Sequence, residues 1–278
     1  MAIILTQPIL IKKSFRMIMD NLTIKEIGTK LIQAGKLKND PLCVYGSETI
    51  PENSTPIKKV HRCIANAIFT LSVDKNLSSI YIGNDALEGC CPGGQAWLGY
   101  KPFLPMLKYF LSTGSADFRG GAAEFLIANP DLAEKQLHSV GKITPLGKYT
   151  VISKYNFKDI KNNDIKVILC FGISEQIRNL CSLAHFRPGN ASSIQIPWGA
   201  SCASFITYPA EMIKTGPKNC IIIGPTDPTG NYWFPQNYLS MGLSVEIARN
   251  MANDLNDSFI TKRPEVAYPV KRKTFPNL

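Results

Sequence analysis

Several motifs that identify common enzyme classes are missing from this chain of 278 residues. It contains no G-x-G-x-x-G, no G-x-x-x-x-G-K-[ST], no G-x-S-x-G and no H-E-x-x-H. These absences argue against a dinucleotide dehydrogenase, a P-loop enzyme, an α/β-hydrolase and a zincin. A C-x-x-C pair is missing too, which argues against a zinc ribbon and a thioredoxin-type site. The 3 histidines are scattered along the chain, so they do not indicate a dedicated zinc site.

The chain also lacks a long apolar run. No stretch approaches the roughly 18–20 apolar residues that a membrane span needs. At the N-terminus, Lys12, Lys13 and Arg16 follow the apolar residues 1–5, whereas a secretory signal carries its positive charge before the apolar run. We therefore expect a cytoplasmic protein without a membrane partner.

The net charge of +10 is concentrated at the two ends of the chain. Residues 1–40 carry seven Lys and Arg against three Asp and Glu, and residues 262–278 carry five against one. A nucleic-acid binder usually shows a basic stripe on a folded face, often with aromatic residues interleaved. Solvated basic termini explain this distribution better, so we do not expect a nucleic-acid partner.

Two stretches of the chain read as variants of one unit. Each gives an apolar strand, a helix, a strand that begins S-S-I, a small-residue turn with cysteine, and a second helix. The blocks are 42–46, 61–69, 78–83 and 89–99 in the first stretch, and 168–172, 178–186, 192–197 and 199–207 in the second. A true duplication would relate 78–99 to 192–208 by an approximate twofold axis and make their cysteines face one cavity.

Strands that alternate with helices predict an α/β or α+β fold, most simply as one compact domain. The N-terminal helices, 8–20 and 23–36, occupy residues 1–40, and Thr23 with Glu26 forms a capping box for the second helix. The remaining parts are a first half with a helical insertion (41–143), a second half (144–260) and a basic tail (261–278). We expect the insertion to be helical over 102–140.

The 8 cysteines divide by their sequence setting. Cys43, Cys170 and Cys181 lie in apolar strand or helix patterns, so we predict structural roles for them. In contrast, small-residue turns before helices contain Cys90, Cys91 and Cys202. A helix N-terminus favours the thiolate, which is the form that ligates a metal or attacks a substrate. Buried cysteine at a tight turn is the alternative interpretation.

Glycines in the same turns extend this candidate site. Gly93, Gly94 and Gly199 would let a cofactor approach the backbone closely. Cys63 fits a ligand role and a core role equally well. Arg119 with Gly120 and Gly121 could bind an anion at a helix N-terminus, although a plain helix start explains them equally.

The resemblance to a known family is carried by four of these segments. They are R-C-I-A at 62–65, C-P-G-G-Q-A-W-L-G at 91–99, a helix with Gln176 and Leu180, and G-A-S-C at 199–202 followed by F-I-T-Y-P at 205–209. Over residues 40–257 the chain resembles the archaeal and bacterial domain-of-unknown-function family one-six-nine. The resemblance implies little about function, because that family is named for lacking one.

One segment departs from the pattern of that family. Its members often carry a cysteine just before a Gly-x-Arg in the strand that follows the F-I-T-Y-P segment. Here residues 222–226 contain no arginine, and the nearest cysteine is Cys220. A fourth cysteine ligand would then come from Cys91 or Cys220, or one iron would have a ligand other than cysteine.

Our leading prediction is a redox or metal cofactor, most simply an iron–sulfur cluster, bound through Cys63, Cys90 or Cys91, and Cys202. Soft thiolates select such clusters or zinc, and three cysteines would leave one iron open to a small-molecule ligand. A second hypothesis is a non-redox protein that binds a small anion or a tetrapyrrole-type cofactor, with structural cysteines. A third, a cysteine nucleophile, lacks an obvious base nearby in sequence. Whether the chain is an enzyme stays open.

Overall fold

The computed structural model describes residues 22–87, 90–158, 160, 164–215, 220–228 and 234–269. The predicted helix at 8–20 and the end of the basic tail, 270–278, lie outside these ranges. Among the described residues, no helix is both long enough and apolar enough to cross a membrane.

The described strands form one mixed sheet of eight members. They are β1 (Leu42–Ser47), β2 (Thr55–Pro56), β3 (Ser79–Ile82), β4 (Tyr149–Lys154), β5 (Ile165–Ile173), β6 (Ile194–Gln195), β7 (Ile221–Gly224) and β8 (Tyr238–Leu243). Their spatial order is β2-β3-β4-β1-β5-β8-β7-β6. Neighbouring strands are antiparallel except for the two outermost pairs, β2 with β3 and β6 with β7, which are parallel.

Helices cover both faces of the sheet, and the fold is therefore α/β as predicted. In chain order they are α1 (Ile24–Gly35), α2 (Ile57–Val60), α3 (Ile64–Val73), α4 (Pro92–Trp97), α5 (Leu107–Leu111), α6 (Pro130–Leu137), α7 (Ser174–Ala184), a π-helical turn (Ala203–Thr207), α8 (Tyr208–Thr215), α9 (Val245–Asp254), α10 (Phe259–Lys262) and α11 (Pro264–Ala267). The capping box of α1 is confirmed, since Thr23 and Glu26 bond to each other's backbone N–H groups.

Alternation along the strands divides the core into two layers. On β5, Leu169 and Phe171 point to what we call the front face, covered by α3, α4, the π-helical turn and α8. Ile168 and Cys170 point to the back face, covered by α1, α7, α9 and α10.

The sheet order is palindromic, because β2-β3-β4-β1 from one edge matches β6-β7-β8-β5 from the other. Each end contains a parallel pair joined by a helical crossover, α3 at one end and the π-helical turn with α8 at the other. A duplication would therefore relate Cys63, just before α3, to Cys202, just before the π-helical turn.

The palindromic strand order differs from the predicted repeat, in which the four sequence blocks of the first stretch correspond in order to the four blocks of the second. The first S-S-I segment enters β3, an inner strand, whereas the second enters β6, an edge strand. The two matched helices, α3 and α7, lie on opposite faces of the sheet. Short apolar strands have similar sequences wherever they lie in a sheet, so this similarity does not give their position. The face of the sheet that a helix covers is likewise fixed by tertiary packing.

The insertion between the halves is only partly helical. Helices α5 and α6 form, but residues 112–129 between them contain no α-helix and include a short left-handed turn at Arg119–Gly121. Gly120 and Gly121 have φ angles of 64° and 85°, which stop an α-helix. The N–H of Leu126 instead donates to the carbonyl of Leu111 at 3.0 Å, so this loop folds back along α5.

Phe171 joins the central strand to the helices of the front face. Its ring centroid lies 5.4 Å from that of Phe69 in α3 and 5.0 Å from that of Phe205 in the π-helical turn. We expect Phe171→Ala to lower the free energy of unfolding by about 3–5 kcal/mol, because it empties a fully buried site. Urea denaturation followed by circular dichroism measures this loss.

The matched control is Phe125→Ala, since Phe125 is 76% exposed. It should change the free energy of unfolding by less than about 0.5 kcal/mol. Equal losses in the two variants would contradict the burial of Phe171.

Candidate functional site

A cavity of about 240 Å³ opens on the front face. Three cysteines line it, Cys63, Cys91 and Cys202, and each comes from a different part of the chain. Each precedes a helical segment: Cys63 is the N-cap of α3, Cys91 is the N-cap of α4, and Cys202 comes directly before the π-helical turn. The structure thus brings together cysteines that the sequence separates by up to 139 positions (202 − 63).

Cys63 is half-buried at the start of α3. Its backbone N–H donates to Nδ1 of His61 at 2.9 Å, which fixes the turn before the helix. Burial raises the pKa of the Cys63 thiol, while hydrogen bonds from the backbone N–H groups of Asn66 and Ala65 oppose this rise. The first turn of α3 therefore stabilises negative charge on this sulfur.

Cys90 and Cys91 form a hydrogen-bonded pair at the start of α4. The thiol of Cys90 donates to Sγ of Cys91, and this bond is the largest cause that lowers the pKa of Cys91 to about 6. The N–H of Gly94, 3.3 Å from Sγ, and the charge of Arg119 act in the same direction. The same pairing, together with burial, raises the pKa of Cys90. Cys91 reaches solvent, whereas Cys90 is buried behind it.

Cys202 is buried, and burial is the main cause that raises the pKa of its thiol well above the ordinary value. Negative charge on Cys91 and Cys63 raises it further. Negative charge on Cys202 and Cys63 likewise contributes to the raised pKa of the Cys90 thiol. The four thiols therefore share one electrostatic environment, in which they cannot all ionise without a compensating positive charge.

Helix α4 and the π-helical turn are fixed to each other. The hydroxyl of Thr207 donates to the carbonyl of Trp97, the last residue of α4. The rings of Trp97 and Tyr208 meet edge to face with centroids 5.4 Å apart, and the Tyr208 hydroxyl donates to the carbonyl of Trp198 at 3.0 Å. These contacts hold Cys91 and Cys202 on the same cavity. Turns of π-helix are rare and occur frequently at functional sites.

The three predicted glycines have different surroundings. A methyl group added at Gly93 would meet nothing within 4 Å, so this position leaves room beside the cavity. At Gly94 it would lie 3.2 Å from Cδ1 of Ile64 and 3.3 Å from Sγ of both Cys90 and Cys91. At Gly199 it would lie 2.4 Å from the Tyr208 hydroxyl oxygen, so that glycine makes room for the Tyr208 side chain.

The remaining cysteines lie away from the cavity. Cys43, Cys170 and Cys181 belong to the core of the back face, and burial raises the pKa of each thiol. Cys220, the possible substitute ligand, is buried just before β7 and is not among the residues that line the cavity.

Sequence reasoning missed part of the cavity wall. Asp227 lines the cavity, and its N–H donates to the carbonyl of Gly199 at 3.3 Å. Nothing in its turn-rich loop distinguished it from other turn residues. The predicted helix start at Arg119, Gly120 and Gly121 is wrong, because all three residues have positive φ angles. Arg119 nevertheless lines the cavity.

No set of three or more His, Cys, Asp or Glu side chains could hold a single metal ion in the part of the chain that the structure describes. The cavity cysteines thus share a space and an electrostatic environment, without the close convergence that one ion requires.

Comparison with known proteins identifies the family. Neither the curated proteins nor the solved structures include a match to this chain. The family profile of DUF169, described as uncharacterised ArCR, matches residues 30–254 and confirms the resemblance carried by the cysteine turns. The chain therefore belongs to the DUF169 family.

Proposed function

We propose that this protein is a cytoplasmic redox or metal-cofactor-binding protein that holds an iron–sulfur cluster on Cys63, Cys91 and Cys202. The observation that carries the proposal is that these three cysteines line one cavity, each before a different helical segment. Cluster irons take thiolate ligands, and hydrogen bonds to the sulfurs tune the potential of the cluster.

Among the described residues no three donors converge on one point, which disfavours a single-ion site at these cysteines. A tetrahedral zinc site needs four donors at about 2.0–2.3 Å from one point, whereas cluster ligands have sulfurs roughly 4–7 Å apart. Thiols on the walls of a cavity suit the wider spacing. Burial, and to a smaller extent repulsion from neighbouring thiolates, raises the pKa values of Cys63 and Cys202, and the positive charge of a cluster's irons would offset both effects.

Cys90 has a different role in this proposal. It does not line the cavity, and its thiol donates to Sγ of Cys91. With three cysteine ligands, one iron of a cuboidal cluster would face the open cavity, where a small molecule can reach it. Cys90 would then modulate the cluster through the Cys91 sulfur.

A second function, a thiolate nucleophile at Cys91, is favoured by one observation. The hydrogen bond from Cys90 lowers the pKa of Cys91, which favours the thiolate without a separate base. This hypothesis requires no iron, and the experiments below distinguish it from the first.

Anaerobic reconstitution with ferrous iron and sulfide tests the cluster. We expect visible absorption and about four irons per chain for a cuboidal cluster. Cys63→Ser, Cys91→Ser and Cys202→Ser should each lose most of this iron, whereas Cys181→Ser, on the back face, should retain it. Thermal melting checks that each variant is folded. Folded wild-type protein that stays colourless and free of iron would rule out the proposal.

Alkylation by iodoacetamide, located by peptide mass spectrometry, tests the state of Cys91. In metal-free protein its rate should rise with pH through about 6, since the thiolate is the reactive form and its pKa is lowered to that value. Cys181, whose pKa burial raises to about 11, should react slowly at neutral pH. A bound cluster should protect Cys91 and leave the rate at Cys181 unchanged. Equal rates at Cys91 with and without the cluster would favour the nucleophile hypothesis.

Two adjacent glycines provide a matched pair of variants. Gly94→Ala places a methyl group 3.3 Å from the Cys90 and Cys91 sulfurs, whereas Gly93→Ala places it in open space. Both changes raise helix propensity by a similar amount, about 0.8–1.0 kcal/mol. We expect reconstituted Gly94→Ala to bind less iron than wild type, and Gly93→Ala to bind the same amount. Equal iron contents in the two variants would contradict the assignment of Cys91 as a ligand.

A further inference from the structure

The side chain of Arg119 is held at the edge of the cavity by aromatic rings. Its guanidinium carbon lies 4.6 Å from the ring centroid of Phe110 and 5.5 Å from that of Phe118, distances typical of cation–π contacts. Within the described ranges, no carboxylate pairs with Arg119. The charge of Arg119 acts on the sulfur of Cys91.

The backbone at this position is unusual for an arginine. Arg119 has a φ of 52°, and Gly120 and Gly121 continue the turn at 64° and 85°. A left-handed conformation is uncommon in a residue other than glycine and occurs often at ligand sites.

The two carboxylate side chains that line the cavity in the described part of the chain, Glu124 and Asp227, already have interaction partners. Much of the remaining lining is apolar and includes Leu104, Leu107, Leu111 and Trp198. The cavity therefore combines one cation that lacks a carboxylate partner with an apolar surface. This combination suits a molecule with an anionic head and an apolar body.

The size of the cavity restricts that molecule further. Its volume of about 240 Å³ lies below the range of about 300–1,000 Å³ for sites that hold drug-sized ligands. We propose that the outer part of the cavity binds a small organic acid, whose carboxylate pairs with the Arg119 guanidinium and whose apolar body contacts Leu107 and Trp198. Arginine suits this role because its planar fork can bind both oxygens of a carboxylate.

The acid would lie beside the sulfur of Cys91, since the charge of Arg119 acts on that sulfur. In this respect the inference rests on the proposed function, because it makes the acid the small molecule that reaches the open iron. Binding of the acid to Arg119 is a separate property and can be measured in metal-free protein as well.

Isothermal titration calorimetry with benzoate and benzamide tests the inference in the full-length protein. The two probes have similar shapes, and only benzoate is charged. We expect wild-type protein to bind benzoate at least tenfold more tightly than benzamide. Arg119→Gln should abolish this preference, whereas Arg178→Gln, which removes the same charge from the exposed surface of α7 on the back face, should preserve it. Arg119→Lys should retain part of the preference, because it keeps the charge without the planar fork.

The outcomes separate this inference from the cluster. Equal affinities of wild-type protein for benzoate and benzamide, or a preference that survives in folded Arg119→Gln, would overturn the acid site even where a cluster forms. Failure of iron to bind would overturn the proposed function, while a benzoate preference that depends on Arg119 in metal-free protein would still support the acid site. Thermal melting of Arg119→Gln confirms that a loss of preference is not caused by unfolding.

Discussion

The contact between α4 and the π-helical turn is the constraint on which the site depends. The Thr207 hydroxyl bonds to the carbonyl at the end of α4, and the Trp97 and Tyr208 rings meet beside it. Without this contact Cys91, at the other end of α4, would have no fixed position relative to Cys202. Helix α4 is only 6 residues long, so its own hydrogen bonds do not stabilise it and its position comes from packing.

The sheet is the second constraint on the positions of the cavity cysteines. Parallel strand pairs at its two ends each send a helix across the front face, and both helical segments meet Phe171 on the central strand β5. Cys63 and Cys202 occupy equivalent places in the two crossovers, while Cys91 comes from the first half alone. The cavity is therefore built from two topologically related turns and one additional turn, and Arg119 completes its lining from the insertion between the halves.

Local sequence patterns predicted the α/β class and most of the described helices and strands. Cys43 and Cys170 lie in apolar sequence segments, whereas Cys91 and Cys202 lie in turns of small residues. This difference in sequence corresponds to the two faces of the sheet, the back face for the first pair and the front face for the second. Position in the sheet could not be predicted, because similar S-S-I segments form an inner and an edge strand. The Arg119 turn was mistaken for a helix start because two glycines before an apolar run fit both structures, and only tertiary contacts choose between them.

The central claim is that three cysteines, each before a different helical segment, hold one cluster. A crystal structure of anaerobically prepared protein, with iron located by anomalous scattering, tests it most directly. The account predicts iron in the front-face cavity, bonded at about 2.3 Å to the sulfurs of Cys63, Cys91 and Cys202, with one iron open toward Arg119. Iron bound elsewhere on the chain, or a cavity without iron in which these thiols are free, would contradict it.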